Sequence, residues 1–243
     1  MTPAALPISD RTLGEIVSDD SRAALVFERH GLDYCCGGHQ TLAEASARLH
    51  LPLAPIVDAL AALGAPDPAD ADRRWTELDA LTRHIVDRHH KYVREIIPAI
   101  DAWLAKLVSR HGQRHPELAD VWHTFSELAQ ELTSHMAKEE SLLFPAIADL
   151  AAAGRTTGRL PASPFGTVLY PVRAMEDEHR AAGDLIARIR TLSGNYTPPD
   201  DACTTYRLCY GELQRFQADL VEHVHLENNV LFPRALELER QLA

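Results

Sequence analysis

Four long stretches of this chain carry apolar residues at steps of three and four, the period of a helix with one buried face. The second runs Phe125, Leu128, Leu132, His135, Glu139, Leu142; the third Val168, Val172, Met175, His179, Ala182, Ile186, Ile189; the fourth Leu213, Phe216, Leu220, His223, Glu227, Leu231. The first is ambiguous. His89 and His90 are adjacent, and each borders an apolar row: Ile85, Ile96 and Ile100 beside one, Val86, Val93, Ile97, Ile100 and Leu104 beside the other. Breaks at 109–116, 154–166 and 194–199, each holding Gly and Pro, separate the four stretches. Four helices with three connections predict a four-helix bundle. The segment before Trp122 and the one before Cys203 each begin after a Pro-containing turn, and Asp200 and Asp201 offer N-cap oxygens to the last helix.

Ahead of the bundle the periods are shorter. Thr12 with Glu15 and Thr41 with Glu44 match the capping-box spacing, and Gly31 and Gly64 sit where helices end on a C′ glycine. Residues 65–72 are small, acidic and Pro-containing, with no apolar period, and read as a linker. The expected organisation is therefore all-α, a small helical domain over 1–68 and a bundle over 75–243.

Composition narrows the functions. With 243 residues, 46% of them hydrophobic, the chain can bury one substantial core and a smaller second one. A net charge of -11 without a basic cluster argues against nucleic acid or an anionic membrane as partner. The N-terminus lacks a basic segment followed by an apolar run, and no run of about eighteen apolar residues occurs, so a soluble cytoplasmic protein is expected. Four cysteines in a chain of this length form no disulfide framework and are expected to be reduced.

The polar residues inside the apolar stripes carry the chemistry. His135 and Glu139 lead into Leu143-Phe144-Pro145, and His223 and Glu227 lead into Leu231-Phe232-Pro233. Residues four apart share a helix face with Cβ atoms roughly 5–6 Å apart, so each pair offers an imidazole and a carboxylate to one point. One such pair fits a structural hydrogen bond. Two in the same setting point to a metal site, because a buried carboxylate is costly without a cation or a proton. If the bundle is built from two similar halves, the other helices complete the set. His179 lies on its stripe, and aligning His90 with His179 superposes Ile96, Ile97 and Ile100 on Leu185, Ile186 and Ile189, whereas His89 would bring Glu95 onto Leu185. The spacing agrees, since 45 residues separate His90 from His135 and 44 separate His179 from His223. The predicted ligands are His90, His135, Glu139, His179, His223 and Glu227, for two metals bridged by the carboxylates. Mixed N/O donors suit iron, manganese or zinc, and the half-site repeat in a bundle favours two irons, with zinc second. Six ligands for two ions leave positions open for reaction. Glu131, one turn before His135, and Glu178, beside His179, are candidates to orient imidazoles. His84 and His225 fall off the ligand face, His225 by about 200°, and are expected at the surface or behind the ligands.

The bundle motifs, together with Asp33-Tyr34-Cys35-Cys36-Gly37-Gly38 near the N-terminus, resemble the di-iron iron-sulfur cluster repair family, also called RIC, ScdA or YtfE proteins, with a hemerythrin-like bundle. The resemblance covers nearly the whole chain and includes residues 202–205 and 223–233. It implies that the six residues above hold an oxo- or hydroxo-bridged di-iron centre. It further implies a cytoplasmic homodimer that answers oxidative and nitrosative stress by restoring damaged iron-sulfur proteins, donating iron after reduction by an unknown partner. Two alternatives share the same site: a hemerythrin-like protein that binds or senses oxygen or nitric oxide, and a nitric oxide reductase. Enzymatic turnover is left undecided, and the Cys-Cys-Gly-Gly domain favours repair over simple gas carriage.

Cys35 and Cys36 admit several roles. Adjacent cysteines make a strained disulfide. The glycines after them suit thiols that reach a partner, an iron ion or the bundle's site, or else a packing loop. A zinc site of His30, Cys35, Cys36 and His39 is a third reading, weakened by the missing C-x-x-C spacing.

Overall fold

The computed structural model describes residues 6–64, 77–156, 158–161 and 165–243. The expected linker and the domain boundary at 68 lie outside them. Among the described residues every long element is a helix, and the one β-bridge pairs Thr12 with Thr41.

The N-terminal domain holds α1 (Leu13–Asp19), α2 (Ala23–Arg29), α3 (Leu42–Arg48) and α4 (Leu53–Ala61). Both capping boxes form: Thr12 Oγ1 accepts from the Glu15 amide and Thr41 Oγ1 from the Glu44 amide, with each glutamate accepting in return. The two caps lie side by side, since the Leu13 amide donates to Gln40 O and the Leu42 amide to Arg11 O. Helices this short are not stable alone. Leu13, Phe27, Leu42 and Ile56 bury completely against one another and hold them. Gly31, at C′ after α2, takes a left-handed φ of 67°, and Gly64, two residues past the C-cap of α4, one of 70°.

The bundle consists of α5 (78–111), α6 (117–155), α7 (Leu169–Leu192) and α8 (204–242). α6 packs against both α5 and α7, and α8 packs on α5. Three of the four change register midway. π-helical turns occupy Ile85–His90 in α5, Glu139–Leu143 in α6 and Glu227–Leu231 in α8. There the amide bonds five residues back: Phe144 N–H to Glu139 O, Phe232 N–H to Glu227 O, Lys91 N–H to Val86 O. Pro145 and Pro233 follow directly and bring no N–H, so the wider turn sacrifices less of the α ladder than it would elsewhere.

The π turns explain one departure from the sequence pattern. A uniform period puts Leu142 in the core; it is 51% exposed, and Leu143 is buried instead. The extra residue in the turn advances the buried face by one position. Leu143 thereby matches Leu231, its counterpart in α8, which is also buried. A second departure concerns Asp200 and Asp201. The last helix starts at Thr204 without a side-chain cap, and Asp201 instead accepts from His115 Nε2 (2.9 Å) in the loop across the bundle end.

The bundle core is in two parts. Leu104, Phe125, Leu128, Ile189, Leu213 and Phe216 belong to one apolar cluster, and Leu81, Ile85, Ile147, Val172, Leu231 and Phe232 to another. The histidines and glutamates form the layer between.

Candidate metal centre

Each π turn begins or ends at a predicted ligand. His90 closes one π turn, and Glu139 and Glu227 open the other two. The six side chains converge as two groups, His90–Glu139–His223–Glu227 and His135–Glu139–His179–Glu227, with the donor atoms of each group within 4.8 Å of one another. Both carboxylates belong to both groups. Glu139 turns Oε2 to His90 Nε2 and Oε1 to His135 Nε2, each at 3.3 Å. Glu227 turns Oε1 to His223 Nε2 and Oε2 to His179 Nε2, each at 3.0 Å. All six residues are buried.

The donor set fits metal ions better than it fits itself. The Nε2 atoms of His90 and His223 lie 3.2 Å apart, and those of His135 and His179 3.0 Å apart, so lone pairs face lone pairs unless protons intervene. Both oxygens of Glu139 and Oε2 of Glu227 make no hydrogen bond of normal geometry among the described residues. Neither glutamate has a Lys or Arg partner there. Two buried carboxylates this close demand positive charge. Protons supply it when metal does not. Burial pulls the His135 imidazole down, but Glu139 and Glu227 outweigh it and push its pKa up to about 9. Burial likewise raises Glu227, yet His223 and His179 hold it well below the usual carboxylate range. The site is a cation trap whose imidazolium protons stand where metal charge would sit.

A second ring of partners fixes the imidazoles. His90 Nδ1–H donates to Glu140 Oε1 (2.7 Å), which Arg94 also engages. His135 Nδ1–H donates to Glu178 Oε2 (2.9 Å), itself tied to Lys138. His179 Nδ1–H donates to Asn228 Oδ1 (2.8 Å). These contacts set the tautomer that points each Nε2 inward. Phe144 stacks on His90 and Phe232 on His179, which gives the Phe of each Leu-Phe-Pro its place. His89 is also buried, but it bonds Asp219 through Nδ1 (3.1 Å) and stacks on His223 from behind.

Several expectations about the surroundings change. Glu178 does contact His135, whereas Glu131 is exposed and has no hydrogen bond among the described residues. One α-helical turn separates Glu131 from His135, yet its side chain follows the solvent face. Glu140 and Asn228 do what Glu131 was expected to do; their signal is the position directly after each repeated glutamate. Of the two places expected for His225, the structure takes the one behind the ligands. His225 is buried behind the ligand face, against the Tyr34 ring and 3.4 Å from Ser18 Oγ.

This side of α8 carries the N-terminal domain. Asn229 Nδ2 donates to Tyr34 O (3.0 Å) and Cys35 O (3.1 Å), and Asn228 Nδ2 to Cys35 O (3.3 Å). A Cβ on Gly38 would stand 2.1 Å from Asn229 Oδ1, and one on Gly14 2.5 Å from it. Both glycines make room for that amide. Cys35 and Cys36 are half-buried free thiols with sulfurs 3.9 Å apart, grouped with Asp33; neither His30 nor His39 is in that group.

Residues 81–235 match the family described as Hemerythrin HHE cation binding domain, and residues 9–64 match ScdA_N, a domain of unknown function. The iron-sulfur cluster repair protein YtfE of Citrobacter koseri is 38% identical over 227 residues, covering 93% of this chain and 97% of that protein. Proteins of the same name from Escherichia coli O17:K52:H18 and Escherichia fergusonii are likewise 38% identical, with the same coverage.

Proposed function

This chain belongs to the iron-sulfur cluster repair family with a hemerythrin HHE domain, and from that premise we propose that it holds two irons and donates iron to iron-sulfur proteins with damaged clusters. The observation that carries the proposal is that Glu139 and Glu227 are each shared by both ligand groups. Two carboxylates placed between two pairs of imidazoles suit a pair of bridged ions, each with positions left for exchange.

His90 and His223 would hold one ion, His135 and His179 the other, with Glu139 and Glu227 common to both. Iron bound there supplies a centre whose grip depends on oxidation state, firm when ferric and weaker when ferrous. The chain's own part is positional. Glu140, Glu178 and Asn228 keep three imidazoles in the tautomer that accepts a metal. The apolar clusters on either side exclude water from the carboxylates. When an ion leaves, protons return to the imidazoles, for which the carboxylates already provide the drive. Release is thereby an exchange of cations that leaves no charge bare. The protein is expected to act in the cytoplasm, to accept electrons from a separate reductant, and to form a homodimer.

The test has two parts. Purified protein is expected to contain about two irons per chain with an oxo-bridge absorption band. Iron-loaded protein mixed with an enzyme whose iron-sulfur cluster has been damaged by nitric oxide is expected to restore activity, and to lose iron as it does. Bound zinc without that band sinks the di-iron part. Reversible oxygen binding, or steady nitric oxide consumption, with no recovery of the enzyme sinks the donor part.

A further inference from the structure

We propose that Asp33, Cys35 and Cys36 form a second, thiolate-rich metal site at the junction of the two domains, one that takes a divalent ion such as ferrous iron. The three donors lie within 4.8 Å of one another. The 3.9 Å between the sulfurs is far outside bonding distance, so both thiols are available to one ion. The loop is built to hold them this way. Asp33 Oδ1 accepts from the amides of Cys35 and Cys36, both at 3.0 Å, and from the Cys35 thiol at 3.1 Å. A side chain at Gly37 would press on Asp33 O at 2.7 Å, and one at Gly38 on Asn229, so the turn tolerates no bulk.

The two sulfurs open onto a cleft of about 250 Å³ that His39, Glu176, Arg180, Asn228 and Asn229 also line. His39 lines the same cleft outside the three-donor group. The Arg180 guanidinium is engaged by Asp177. Without an ion the Cys35 thiol is held protonated by its sulfur neighbour, by burial and by the Asp33 charge; a bound cation reverses that preference. Binding releases the thiol protons to solvent and moves no electrons.

Among the contacts between the loop and the bundle, one amide reaches both the thiol loop and a ligand histidine. Asn228 accepts from His179 through Oδ1 and donates to Cys35 O through Nδ2. The thiol loop and the centre are thus registered to each other by one residue beside Glu227. This placement gives an ion leaving the bundle a soft landing site at the surface, which rests on the donor reading above only for the identity of the ion.

Cobalt tests the site directly, because thiolate ligation gives an intense charge-transfer band that His and Glu ligands do not. Full-length reduced protein titrated anaerobically with cobalt is expected to develop that band to one equivalent per chain. It should persist in Glu139→Leu and Glu227→Leu, which lack the bundle ions, and vanish in the Cys35→Ser/Cys36→Ser double variant. Circular dichroism and retained bundle metal establish that the double variant is folded. As a milder variant, Asp33→Asn is expected to weaken cobalt binding about tenfold. No thiolate band in the wild type, or an unchanged one in the double variant and in Asp33→Asn, overturns the site. The band in a wild-type protein whose bundle takes up no iron would instead overturn the donor reading and leave this site standing.

Discussion

The repeated motif in α6 and its counterpart in α8 are alike at the ligands and different one residue later. After Glu139 comes Glu140, which orients His90 and faces solvent through Arg94. After Glu227 comes Asn228, which orients His179 and also holds Cys35 O, and then Asn229, which holds Tyr34. Before the partner histidines the contrast recurs: Glu178 bonds His135, whereas His89 stacks on His223, whose Nδ1 has no partner among the described residues. Each copy thus presents the same candidate ligands but makes different use of its outer side. One is exposed to water, and the other is where the N-terminal domain docks.

The copies should be indistinguishable when the shared carboxylates are removed. Glu139→Leu and Glu227→Leu are each expected to empty both positions, taking metal from about two ions per chain to near none by elemental analysis. Loss of one ion only in either variant would break the symmetry argued from the shared oxygens.

Acidification should separate them next. His225, in the α8 copy, corresponds to Ala137 in α6. Burial pulls the His225 pKa down to about 4 from 6.5. The folded junction favours the neutral ring, so this contribution is complete above pH 6.5 and is lost as pH falls from 6.5 towards 4. That is on the order of 3 kcal/mol. The drop in urea midpoint from neutral to acid pH should be smaller in His225→Gln than in the wild type; equal drops would refute it.

The orienting partners come third. Glu178→Gln is expected to lower metal affinity ten- to a hundredfold, about what removing such a partner does elsewhere. Asn228→Ala should do the same and also loosen the thiol loop. Competition with a chelator reads the first effect and hydrogen exchange at 34–38 the second. Finally, Asn229→Ala should cost roughly 1–2 kcal/mol by removing the amide that pairs the Tyr34 carbonyl, while Asn228 still donates to Cys35 O. Ser141→Ala at the matching position of α6 should change stability by less than about 0.5 kcal/mol. Thermal unfolding of the two variants side by side decides whether docking is confined to one copy.

The bundle and the convergence of its candidate ligands were legible because they are periodic. Spacing alone put His179, His135 and His223 on buried stripes and preferred His90 to His89, and the structure brings those side chains together with both glutamates. What escaped was everything that breaks the period or joins the halves. Leu142 was misplaced because a π turn adds a residue that no hydrophobic count reveals. Asp200 and Asp201 had the right chemistry for a cap, but Asp201 is drawn off by His115, a partner 86 residues away. The burial of His225 depends on a second domain covering it, and Asn229 and Gly38 explain each other only once both are in place.

One consequence of the divided core remains. The His/Glu layer runs across all four helices between the two apolar clusters, so each cluster is packed within itself and meets the other across polar groups. Cooperativity has to pass through that layer. With ions in place the whole bundle should exchange its amide hydrogens as one unit; stripped of them, it has a seam. The end around Ile147, Leu150 and Phe232 could then open on its own while the end around Phe125 and Phe216 stays shut. A protein that gives away its metal would thereby report its own depletion as the loosening of one end.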